Sequence, residues 1–164
     1  MKKILLPLLP VLAGCTDIDC PLDNIVEMGC GIYASETGQP LQLTDTLTVR
    51  VAGRDTILLN RAQGISSFYL PLRHSGTVDT LLLRFSNANG QVATDTLFVT
   101  HTNVPHFESI DCPATVFHEI STARHTSHAL SLMPLTIDSV AVSQTSVNYD
   151  DKENLKIYLR STSH

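Results

Sequence analysis

Apolar and polar residues alternate with a period of two over most of this chain. Leu41, Leu43, Leu47, Val49 and Val51 share one parity, as do Phe68, Leu70 and Leu72, then Leu81, Leu83 and Phe85, and finally Leu155, Ile157 and Leu159. Successive side chains of a strand point to opposite faces, so each set predicts a strand with one buried face. Four runs open on the same pair, Asp45-Thr46, Asp55-Thr56, Asp79-Thr80 and Asp95-Thr96, with Asp138-Ser139 as a looser fifth. Asp suits a turn and β-branched Thr suits a strand, so the pair reads as a handover from one to the other. The copies are unevenly spaced, which excludes a solenoid or propeller repeat. Between two runs lies Asn87-Ala88-Asn89-Gly90. Asn-Gly tolerates positive φ at both residues, and predicts a hairpin pairing 79–86 with 92–100. No window carries a capped helical period. The prediction is all-β: an immunoglobulin-like antiparallel β-sandwich of about eight or nine short strands.

The first residues do not follow this grammar. Lys2 and Lys3 precede an apolar run from Ile4 to Leu12, broken by Pro7 and Pro10, and the run closes on Leu12-Ala13-Gly14-Cys15. These are the parts of a secretory signal. A membrane-spanning helix needs roughly 20 apolar residues, about twice what is present. The Leu-Ala-Gly-Cys box resembles the site at which bacterial lipoprotein precursors are acylated on the cysteine and cleaved before it. The alternative is an ordinary signal peptide in which Cys15 is incidental. The lipoprotein reading divides the chain into a signal peptide (1–14), a lipid-anchored tether (15–24) and a single β-sandwich domain (25–164). It makes membrane lipid a partner through Cys15, and places the protein at the outer membrane, on the periplasmic face or the cell surface. Several acyl chains at about 0.8 kcal/mol per buried methylene make such an anchor long-lived.

Charge narrows the partners. The 11 basic residues include Lys2 and Lys3, so cleavage leaves nine against 16 acidic ones and a net charge of −7. That balance argues against nucleic acid and anionic head groups. Tryptophan is absent, and Thr and Ser are plentiful, as in secreted β proteins.

Candidate chemistry is sparse. The Asp-Thr/Ser-aliphatic tripeptides look like the acceptor motif of the envelope O-glycosylation system of Bacteroidota, which would modify Thr46, Thr56, Thr80, Thr96 or Ser139. The plainer reading is strand initiation. Besides Cys15 there are Cys20, Cys30 and Cys112, an odd number. Cys20 and Cys112 share the frame Asp-Cys-Pro and are favoured as a disulfide in an oxidising compartment, with three reduced cysteines as the alternative. His101, His106, His118, His125 and His128 crowd one stretch. Neutral imidazoles and thiolates bind zinc, so His106, His118, His125 and His128, with Cys112, form the candidate metal or redox centre. Their spacing is not that of a helical His-Glu-x-x-His motif, and satisfied or surface histidines are the competing reading. Asp150, Asp151 and Glu153 lack the ordered glycine-centred loop of a calcium site, and read as a solvated hairpin turn. No nucleophile elbow, phosphate-binding glycine loop or split carboxylate pair occurs. The residues therefore favour a non-enzymatic protein without a cofactor, whose further partner is an unidentified envelope protein or glycan.

Four segments carry a family resemblance: Asn103 to Cys112 with its Pro105-His106-Phe107 core, Asp19-Cys20-Pro21-Leu22-Asp23-Asn24, Leu58-Leu59-Asn60-Arg61 with Leu70-Pro71-Leu72, and Lys152 to Tyr158. The chain resembles the small lipoproteins of unknown function found in Bacteroidota. Pro113 stands where that family commonly has glycine, which alters the turn after Cys112. The resemblance implies an envelope lipoprotein with a β domain, carries over no catalytic residue, and favours Cys20 with Cys112 as the disulfide, leaving Cys30 as the extra thiol.

Overall fold

The structure is a computed structural model describing Cys20 and residues 26–162. Cys15, the signal segment and the rest of the tether lie outside the described residues. Ten strands follow in order: β1 (Glu27–Ala34), β2 (Thr46–Val51), β3 (Ile57–Ala62), β4 (Ser67–Pro71), β5 (Val78–Ser86), β6 (Val92–His106), β7 (Thr115–Thr126), β8 (Leu135–Val142), β9 (Ser146–Val147) and β10 (Glu153–Ser161). They form a four-stranded sheet, β4-β1-β10-β8, and a six-stranded sheet, β3-β2-β5-β6-β7-β9. The all-β sandwich is as the alternation predicts, with one or two more strands and one departure. The first and last strands, β1 and β10, lie side by side and run parallel, in register from Cys30–Leu155 to Ala34–Leu159.

The parity sets became the core. Leu43, Leu47, Val49, Phe68, Leu70, Leu72, Leu81, Leu83, Phe85, Leu155, Ile157 and Leu159 are all buried, while Leu41 and Val51 pack against them half-buried. Each fully buried aliphatic or aromatic side chain contributes about 1.5–3 kcal/mol. Met28, Cys30 and Ile32 of β1 fill the facing layer. The Asn87–Gly90 segment joins β5 to β6 with Ser86 opposite Val92. Only Gly90 takes positive φ there, at 77°. Asn89 does not, because the turn closes through Gly90 N–H to Asn87 O, and the Asn87 side chain accepts from the N–H groups of Asn89 and Gln91. This is the longer hairpin built on an ordinary turn, not the two-residue Asn-Gly turn. The Asp150–Asp151 segment connects β9 to β10 in different sheets and so is not a hairpin turn.

A bulge decides what the six-stranded sheet faces inward. Thr100 opposes Thr122 but His101 opposes Ile120, so Ser121 is an extra residue in β7. One extra residue reverses the parity of the strand beyond it. Ala123 and His125, opposite Val99 and Leu97, face inward on one side of the bulge, and Ile120 and His118 face inward on the other.

Candidate functional site

Two of the Asp-Thr aspartates do not sit in turns. Asp79 has the parity of Leu81 and Leu83, and Asp95 that of Leu97 and Val99, so both face inward and are buried. An ionised carboxylate in a core requires hydrogen-bond donors, and each finds a histidine. Asp79 Oδ2 accepts from the Arg73 backbone N–H at 3.0 Å and from His101 Nε2 at 3.0 Å, and its Oδ1 accepts from Arg73 Nε at 3.0 Å. Asp95 accepts from the His128 backbone N–H at 2.6 Å, His128 Nδ1 at 2.7 Å, the Thr136 hydroxyl at 2.9 Å and the Ile137 N–H at 2.7 Å.

The Asp79 network extends to a second imidazole. His118, turned inward by the Ser121 bulge, meets His101 edge-to-face with ring centroids 5.0 Å apart, and His74 lies 5.7 Å away on its other side. The Asn103 amide nitrogen donates to the carbonyls of His74 and Gly76, so its oxygen faces His118 Nδ1 at 2.8 Å and must accept. Tautomers follow from the partners. A carboxylate can only accept, so His101 carries its proton on Nε2, and His118 carries its proton on Nδ1. His101 Nδ1 and His118 Nε2 are buried without a hydrogen-bond partner among the described residues. Burial, with His101 and His74 alongside, pulls His118 down to about 4, which keeps the ring neutral at ordinary pH. Beside Asp79 opens a pocket of about 190 Å³ where Arg54, Arg73, Thr56 and Ser75 meet. The hydrogen bonds of the two rings go to Asp79 and Asn103, not to a hydroxyl or thiol.

Residues 46–159 match the model of a family of unknown function, DUF6452. The chain belongs to that family. The matched stretch takes in β2 to nearly the end of β10, including both buried aspartates and Cys112, but neither β1 nor Cys20. Neither a curated protein nor a solved structure matches the chain.

The four histidines of the alternative metal reading are spread over this DUF6452 domain. His118 belongs to the Asp79 network and His128 is bound to Asp95. His106 stacks on Phe117 at 4.3 Å, and His125 lies opposite Leu97 far along β7. No group of three or more metal-ligating side chains converges among the described residues. The expected centre is corrected on two grounds: His118 and His125 lie opposite Asn103 and Leu97, six positions apart on β6 and so about 20 Å apart at roughly 3.4 Å per residue, and Cys112 is consumed in a disulfide. Cys20 and Cys112 form a disulfide with Cα atoms 5.6 Å apart, 92 residues apart in sequence. Cys30 is free and buried, and burial first and Glu153 second push its thiol well up, so it is an inert core residue. Of the hydroxyl residues in the tripeptides, Thr56 and Ser139 are exposed, while Thr46, Thr80 and Thr96 are half-buried.

His74, Asp79, Asp95 and Asn103 are not among the site residues that the sequence suggests. For the aspartates a signal existed in their parity, which placed a carboxylate in line with core leucines. For His74 and Asn103 there was none.

Proposed function

We propose that the protein is a non-enzymatic envelope lipoprotein of the Bacteroidota type: a sandwich domain anchored at the outer membrane through acylated Cys15, serving as a binding or structural module. The observation that carries the reading is the Leu12-Ala13-Gly14-Cys15 box behind a short, proline-broken apolar run. Two features support it. A disulfide between Cys20 and Cys112 suits an oxidising envelope compartment. Both buried carboxylate–histidine pairs spend their hydrogen bonds on Arg73, Thr136 and backbone groups, as scaffolding does. Glycosylation at Thr46, Thr56, Thr80, Thr96 or Ser139 belongs to the same reading, with exposed Thr56 and Ser139 the most accessible acceptors.

The test is fractionation in the native host. Wild-type protein sediments with membranes and Cys15→Ser is released to the soluble fraction; a variant that stays membrane-bound to the wild-type extent contradicts the anchor. Intact mass of the same material reads the glycans, and a peptide-plus-lipid mass alone sinks the glycosylation part.

A further inference from the structure

The two most exposed large apolar side chains lie in one loop, while a third, Leu132 at 60%, lies between β7 and β8. Ile110 is 98% exposed and Phe107 67%, both between β6 and β7, and Val104 at the end of β6 is 48% exposed. Single exposed apolar residues need no explanation, but these flank Cys112, whose partner Cys20 is five residues from Cys15. A fully extended chain spans about 3.5 Å per residue, so Cys20 lies within roughly 18 Å of the acylated residue. The disulfide adds a Cα separation of 5.6 Å. Ile110 is two residues from Cys112. By contrast Val92 begins the 15-residue strand β6, at about 3.4 Å per residue nearly 50 Å from its other end. The anchor therefore constrains which end of the sandwich meets the membrane, and that end carries the two most exposed apolar groups, Phe107 and Ile110.

From this we propose that the β6–β7 loop, through Phe107 and Ile110, is a bilayer contact that seats the domain on the surface of its own membrane. The inference rests on the lipoprotein reading and adds a defined surface to it. An aromatic shelf backs the loop: His106 stacks on Phe117, Phe117 meets Tyr149 edge-on at 5.0 Å, and the Tyr149 hydroxyl donates to Thr115 Oγ1 at 2.8 Å. Half-exposed tyrosine with one polar tip suits the head-group level. Residues 103–114 contain Glu108 and Asp111 but no lysine or arginine. The contact is therefore apolar and fits zwitterionic head groups, since anionic lipid would repel these carboxylates.

The chain has no tryptophan, so Ile110→Trp and Val92→Trp each make a single reporter at an exposed position that folding does not depend on. Each is placed in phosphatidylcholine vesicles carrying dibrominated acyl chains, in two forms. One is full-length precursor matured and isolated from membranes of the host. The other is the full chain with a maleimide lipid on the Cys15 thiol, Cys20 and Cys112 being bridged and Cys30 buried. Tryptophan at 110 is quenched roughly twofold or more and shifts to the blue, while tryptophan at 92 keeps its emission. Equal emission at the two positions in vesicle-bound protein overturns the contact. Host-derived protein without lipid at Cys15 overturns the lipoprotein reading instead, and the coupled form then decides the bilayer contact alone.

Discussion

Replacing Asp95 by asparagine keeps the shape of the side chain and removes its charge and one acceptor. Asp95 lies on β6 of the six-stranded sheet, and its oxygens accept from Thr136 and Ile137 of β8 in the other sheet, as well as from His128 between β7 and β8. His128 Nε2 in turn faces the Met133 carbonyl at 3.3 Å. Whichever way the asparagine is turned, its amide group opposes donors. The Thr136 hydroxyl can rotate to accept, but the N–H of Ile137 or of His128 cannot. Hydrogen bonds to a charged group are worth roughly 1.5–3 kcal/mol each, and removing one partner of a buried pair costs about 3–5 kcal/mol. Asp95→Asn should therefore lower stability by about 3–5 kcal/mol. Urea unfolding of disulfide-intact protein, followed by circular dichroism, should show a midpoint roughly 2 M lower at unchanged slope. A loss below about 1 kcal/mol at the same slope would refute the view that Asp95 clasps the sheets together. A cycle with His128→Asn should return a coupling of about 1–3 kcal/mol.

Three other outcomes follow from the geometry. The folded protein holds His118 at about 4, below the ordinary histidine value near 6.5, so the unfolded chain binds the extra proton between these limits and stability falls as pH drops through that window. With solvent screening on the exposed His74 side counted, wild type should lose about 2 kcal/mol more than His118→Asn between pH 7.5 and 4.5; parallel pH profiles in urea titrations contradict this. At Gly29 an added Cβ would sit 2.7 Å from the Lys152 carbonyl oxygen, a backbone atom, whereas at Gly31 it meets only side chains, the carboxylate of Glu153 and, at 2.8 Å, the ring of Tyr33. Thermal melts should show Gly29→Ala destabilised by about 2 kcal/mol and Gly31→Ala, where the side chains of Glu153 and Tyr33 shift while the backbone stays, by about 1 kcal/mol, an order that must not reverse. Cys20→Ala with Cys112→Ala opens a 92-residue separation and should cost up to about 4–5 kcal/mol in the chain-entropy model, read as the difference in unfolding free energy from wild type.

The legible part of the fold was its alternation. Every apolar parity set of the β5, β4 and β10 regions landed in the core, because a residue spacing of two leaves a strand little choice of face once one face is apolar. Cys20 and Cys112 were paired correctly from their shared frame and the family resemblance. The histidines of the alternative metal centre do not converge, because density along the chain is not proximity across a sheet; His101, His118 and His128 are bound to Asp79, Asn103 and Asp95. His101 and His118 meet through β6–β7 register and one bulged residue, Ser121, which no local pattern announces. The aspartates show the opposite error: the Asp-Thr repeat was treated as one signal, yet Asp55 pairs with Arg50 at the surface while Asp79 and Asp95 are buried. Parity relative to neighbouring leucines separates these cases, and motif identity does not.

The anchor at Cys15 is the claim on which the compartment, the meaning of the disulfide and the bilayer contact all depend. Mass spectrometry of the N-terminal peptide, from protein extracted out of its own membranes, tests it directly. The mature chain should start at Cys15 and carry a thioether-linked diacylglycerol on that residue. A chain that starts elsewhere, or an unmodified Cys15 thiol, would contradict it.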